Sequence, residues 1–202
     1  MQLDQRASKA DAMLPLLLGS IVLTQIVYIA KSALEIEIAS TAIWSVETLL
    51  FLAIAVLGLV AMLQRTSLAP AMAGIALGGL VNMLQVGMGL TLFAPLSNAG
   101  DAMAPVYESV VAMAFFLFFS GKLLFGFAAV VIGTHLSRHG GPVRFVGLSA
   151  IIAGVVAMLI NTGGIALGMD WLYPAGATGT IATALLALAL HFESRPARQT
   201  AG

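Results

Sequence analysis

The sequence predicts an all-α membrane bundle, a single transmembrane domain over residues 1–202 with six spans and both termini in the cytoplasm. Three observations carry this. Hydrophobic residues make up 60% of the chain and charged residues 9%, against about 25% charged in soluble domains, and mean hydropathy is +1.02. Apolar runs of about 20 residues recur, the length a helix needs to cross the hydrocarbon layer. No run alternates polar with apolar residues, and the runs exceed barrel-strand length, so the spans are helices.

The N-terminal tail carries Asp4, Arg6, Lys9 and Asp11. The run behind it, about 13–31, lacks a small-residue cleavage site, so it reads as a retained first span and not a signal peptide. The segment Lys31 to Ser40, with Ile36 and Ile38, is expected to lie on the membrane surface or over the bundle. The second span, about 42–63, ends at Gln64-Arg65-Thr66-Ser67, and Pro70 opens the third, about 70–94, at a first-turn position. Pro95, Ser97, Asn98, Gly100 and Asp101 make a turn before Pro105 and the fourth span, about 105–136. That span is longer than the hydrocarbon layer, so it should tilt, kink near Ser120-Gly121, or project. Arg138-His139-Gly140-Gly141-Pro142 separates it from the fifth, about 145–168, and Asp170 precedes the sixth, about 172–190, with Pro174 in its first turn.

In this arrangement Arg6, Lys9, Arg65, Arg138, Arg144, Arg195 and Arg198 share one side. The other has Lys31 alone, with Glu35, Glu37, Asp101 and Asp170. The positive-inside rule makes the arginine-rich side cytoplasmic. The formal charge of zero suggests no nucleic acid, and the absence of cysteine removes disulfides and thiolate chemistry.

Lys122 stands out. Phe115, Phe116, Phe118 and Phe119 precede it, and Leu123, Leu124, Phe125 and Phe127 follow. At 1.5 Å per residue it lies roughly 20 Å or more from either end of its span. A lysine near the bilayer centre costs at least about 2.5–3.5 kcal/mol on insertion scales, and its stem cannot snorkel that far. Its partner should be Glu47, an amide from a neighbouring span, water or a ligand.

Helical spacing sorts the other polar residues into stripes. Glu108, Ala112, Phe115, Phe119, Lys122 and Gly126 share a face of the fourth span; Gly78, Asn82, Gln85 and Gly89 of the third; Gly147, Gly154, Asn161 and Gly168 of the fifth. Gln25 and Tyr28 lie in the first span, and Thr178, Thr180 and Thr183 in the sixth. Small residues and amides at helix interfaces serve packing as well as binding, at about 0.6–2 kcal/mol per hydrogen bond. Glu47 and Glu108 lie near enough the outer boundary to be solvated.

The second and third spans echo the fourth and fifth. Trp44 and Glu47 match Tyr107 and Glu108 by residue type, and the stretch from Gly79 resembles the stretch from Gly154. Such a two-helix repeat would keep its membrane orientation. His135 and His139 have the i, i+4 spacing of metal ligands, but no third ligand is evident and surface positions at a helix end explain them. The ten methionines are scattered core fillers.

The stretch 124–154 carries Phe125, Gly126, Gly133, Leu136, Ser137, Arg138, Pro142 and Gly147. It resembles an uncharacterised bacterial family of six- to seven-span membrane proteins. It departs from that family at Gly140-Gly141, and at Arg144 and Phe145, where a tryptophan-containing start is usual. The resemblance implies a multi-pass protein of the bacterial cytoplasmic membrane and no particular activity.

The functional expectation is binding or passage of a small solute, ion or amphiphile through an outward-facing polar cavity. Its lining would be Gln25, Glu47, Asn82, Gln85, Glu108, Lys122 and Asn161. The partners expected are the lipid bilayer, a small-molecule ligand, and another membrane protein or a second copy of the chain. No cofactor is specified. The second reading is an accessory or assembly subunit of a larger membrane complex. A membrane enzyme or a retinal-type chromophore binder comes third, because no catalytic set can be assembled.

Overall fold

The computed structural model describes residues 9–194, which are all-helical with no strand among them. The long helices are α1 (Lys9–Ala33), α2 (Ser40–Gln64), α3 (Ala69–Met88), α4 (Ala104–Leu136), α5 (Gly141–Leu167) and α6 (Leu172–Glu193). Among the described residues five stretches are long and apolar enough to cross a membrane; the last, Gly141–Glu193, contains both α5 and α6. Pro70, Pro105 and Pro142 fall in first turns, where a missing N–H costs little, whereas Pro15 lies inside α1. Gly168 ends α5 at φ 81°, in the left-handed region that favours glycine. Arg6, Arg195 and Arg198 lie outside the described residues.

Helix α3 continues through a π turn, Gly89–Phe93, into Ala94–Ser97. Pro95 supplies the reason. In a regular helix its ring would meet the Thr91 carbonyl, and widening that turn relieves the clash. The turn brings Phe93 edge-on to Trp44 and Tyr107, with ring centroids 6.1 and 6.0 Å apart. Tyr28 stacks on Trp44 from the other side at 6.5 Å. These aromatics mark one end of the bundle. At the opposite end Glu193 of α6 meets His135 of α4 at 3.1 Å and Arg65, just past α2, at 3.7 Å. His135 is thus tied into the bundle, where its sequence position suggested only a solvated surface residue.

Helices α1, α2, α3, α4 and α6 are neighbours in a closed ring, and α5 packs in the crook between α4 and α6. The core is built from Leu14, Leu18 and Ile21 of α1, Phe51 and Ile54 of α2, Ile75 of α3, Phe125 and Ile132 of α4, and Leu186 of α6. Phe51 and Phe125 stack across the ring at 6.5 Å. Many outward side chains are apolar too, as lipid requires: Leu63 is 77% and Leu159 68% exposed.

Helix α4 runs without interruption through Ser120-Gly121. Gly121 makes room for a neighbour: a Cβ there would collide with the Asn82 side-chain amide. Residues 33–39 are all exposed, so the α1–α2 connection does not pack over the bundle. Lys31 pins it, donating to the Ile38 carbonyl and Ser40 Oγ, both at 2.7 Å.

Candidate functional site: a charged network between the helices

Lys122 faces inward because its helical neighbours do. Phe119, Phe125, Gly126 and Ala129 are all buried on α4. On α1 the stripe Leu14, Leu18, Ile21 reaches Gln25 one turn further. Glu47 lies between Ile43 and Phe51 on the buried face of α2. Gly179 on α6 leaves room for the lysine stem, since a Cβ there would come within 2.7 Å of Lys122 Cδ.

Lys122 has no exposed surface. Its Nζ donates to Gln25 Oε1 at 2.9 Å, and Thr180 Oγ1 donates to the same oxygen at 2.7 Å. The ammonium also lies 5.6 Å from the centre of the Phe118 ring, within cation–π range. Glu47 is 8% exposed and accepts a hydrogen bond from Thr24 Oγ1 at 2.8 Å. That hydroxyl also lies 2.8 Å from the Ile21 carbonyl. Glu47 and Lys122 act on each other electrostatically, yet they form no direct ion pair. Two adjacent residues of α1 thus meet opposite charges, Thr24 a carboxylate on α2 and Gln25 an ammonium on α4.

Of the seven residues expected to line one site, the structure brings Gln25, Glu47 and Lys122 together. Asn82 is next to them: it is buried, donates to its own helix at Gly78 O, 2.8 Å, and packs on Gly121. Asn161 is buried between α5 and α6, with Nδ2 2.8 Å from Ala157 O and 3.4 Å from Ala175 O. Its Oδ1 is buried with no partner. Gln85 is half-buried on α3, and Glu108 is exposed near the start of α4. Thr24 was missed at the sequence level; its position beside Gln25 was the available signal.

Two apolar grooves open on the lipid-facing surface. One, of about 300 Å³ between α1 and α2, is lined by Leu23, Thr24, Val27, Ala42, Ile43 and Val46. Thr24 connects it to Glu47. The other, of about 310 Å³, lies between α5 and α6. Among the described residues no group of three His, Asp or Glu side chains is placed to hold a metal. No family model, curated protein or solved structure matches the chain.

Proposed function

We propose that this is a six-span protein of the bacterial cytoplasmic membrane, with both termini inside, that binds or passes a small solute or ion at the Lys122 network. The observation that carries the reading is a fully buried lysine whose one hydrogen-bond acceptor is a neutral amide, Gln25, itself held by Thr180, with a carboxylate nearby but not bonded to it. A purely structural lysine would gain most from direct neutralisation. Here each charge is instead hydrogen-bonded to a neutral residue of α1, which leaves each able to take an incoming partner. Intramembrane ionisable groups in such settings mark substrate and ion pathways. The six-span count is supported by the length of Gly141–Glu193, 53 residues, which is enough for two crossings. The positive-inside distribution and the resemblance of residues 124–154 support the location.

The test is reconstitution in liposomes with a panel of small amino acids, amines, carboxylates and monovalent ions. Lys122→Met should abolish the flux or binding found for the wild type while the protein stays folded. Unchanged flux and binding would remove the proposal. One observation favours the second reading, an assembly subunit: Lys122 is already dry and hydrogen-bonded. That reading predicts a stable partner co-purifying in mild detergent and no dependence of solute movement on Lys122.

A further inference from the structure

The close contacts of two helix hairpins repeat at a fixed separation. In the α2–α3 hairpin, a Cβ on Gly58 would meet Ala76 N at 2.9 Å, and one on Gly79 would meet Ala55 N and Phe51 O, each at 2.9 Å. In α4–α5, a Cβ on Gly133 would meet Ile151 N at 3.0 Å, and one on Gly154 would meet Val130 N at 3.1 Å and Gly126 O at 2.5 Å. Further along, Gly89 faces the Trp44 ring at 3.4 Å and Gly164 the Phe119 ring at 2.8 Å. Every member of the second set lies 75 residues after its counterpart (133 minus 58, 154 minus 79, 164 minus 89, 119 minus 44). Ser45 and Ser120 also correspond, and their hydroxyls bond to Thr41 O and Phe116 O, both at 2.8 Å.

Burial follows the same register. The buried residues of α5 are Gly147, Ala150, Gly154, Ala157, Asn161 and Gly164. Their counterparts Met72, Ile75, Gly79, Asn82, Val86 and Gly89 are all buried. Helix α3 also buries Ala71, Gly74, Ala76 and Gly78, whose counterparts on α5 are not buried, but nothing in shared apolar composition forces the close contacts of both hairpins into one register without insertion or deletion. The same register places Lys122 on Glu47 (122 minus 47 is again 75), and both are buried.

We propose that α4–α5 is a tandem copy of α2–α3, and that Glu47 and Lys122, one position in two copies, form a single charge-complementary site for a small zwitterion. This rests on the reading above that the network is a binding site. The two charges are opposite, lie on corresponding faces, and are both contacted by α1 through Thr24 and Gln25. A lone cation would meet the Lys122 ammonium, and a lone anion the Glu47 carboxylate. A solute with an ammonium and a carboxylate satisfies both. Thr24 and Gln25, which now hold the two charges, and Thr180, which holds Gln25, can hydrogen-bond to either end of it.

The test uses the full-length chain in lipid nanodiscs with β-alanine, and with ethylamine and propionate as single-charge controls. β-Alanine is expected to bind at least about tenfold more tightly than either control, the effect of one unmatched buried charge. This comparison needs no variant to fold. E47Q and K122M should each weaken β-alanine binding by about tenfold or more, and the charge-swapped E47K/K122E should restore it to within about threefold of the wild type. Controls that bind as well as β-alanine, or a folded double variant as weak as the singles, would overturn the inference. If β-alanine fails to bind while K122M still loses the flux of another solute, this inference falls and the proposed function stands. If a folded K122M is unchanged in every assay, both fall.

Discussion

Replacing Lys122 with methionine separates a lysine kept for function from one kept for structure. Met matches the aliphatic stem that lies over Gly179 and removes the ammonium. The lysine costs about 2.5–3.5 kcal/mol at this depth. Against this it gains one interhelical hydrogen bond, to Gln25 at 2.9 Å, worth about 0.6–2 kcal/mol. The cation–π contact with Phe118 is long, at 5.6 Å, and contributes about 0.5 kcal/mol. The substitution leaves no orphan acceptor, because Thr180 still donates to Gln25 Oε1 at 2.7 Å. Apart from the attraction between Lys122 and Glu47, which the substitution also removes, the balance is a stabilisation of about 1 kcal/mol, which raises Tm by roughly 2–4 °C in a chain this size. Thermal unfolding in one detergent, followed by circular dichroism and by retention of a monodisperse peak, measures it. A Lys122→Met protein less stable than wild type by more than about 1 kcal/mol would refute the reasoning and make the lysine a structural tie.

Three further outcomes follow from the same geometry. Gln25→Leu removes the acceptor of a buried ammonium and should destabilise by about 1–3 kcal/mol, an effect that disappears in the Gln25→Leu/Lys122→Met double variant, as a double-mutant cycle would show. Gly154→Ala, whose Cβ would press on Gly126 O, should destabilise by about 1–3 kcal/mol, whereas Gly87→Ala, with nothing within 4 Å, should be neutral or stabilising by up to about 1 kcal/mol; equal Tm values for the two would contradict the packing described. Asn161→Leu should cost less than about 1 kcal/mol, because it removes a buried oxygen that has no partner, and a Tm loss of about 10 °C, far beyond that cost, would show that this oxygen is satisfied.

The helices were legible because several boundaries carry a backbone reason. Pro70, Pro105 and Pro142 open helices and Gly168 closes one, and neither signal depends on tertiary contacts. The burial of Lys122 was legible from the length of its apolar run. Its acceptor was not, because Gln25 is 97 residues away and only the packing of α1 against α6 and α2 brings it close. Glu108 shares a stripe with Lys122 but is exposed. A 33-residue helix extends past its neighbours, so one face need not stay buried along its length. The echo between hairpins was visible at Gly79 and Gly154. Its other half was mis-registered, since matching by residue type set Glu47 against Glu108. The contacts pair Trp44 with Gly89 and Phe119 with Gly164 in the same way, which sets Glu47 against Lys122. An acid opposite a base is invisible to a search for likeness.

The most direct measurement of whether this network is a working site exploits the absence of cysteine from the chain. The Lys122→Cys variant carries a single thiol, so labelling by a small membrane-impermeant thiol reagent reports access to that point alone. Ala99→Cys, at an exposed position, serves as the positive control. A site that binds or passes solutes must open to water from the outer face, so the reagent should label the Lys122→Cys protein in intact right-side-out vesicles within minutes. Complete protection of that thiol from both faces, with the Ala99→Cys control fully labelled, would contradict the account and leave Lys122 as part of a sealed protein interior.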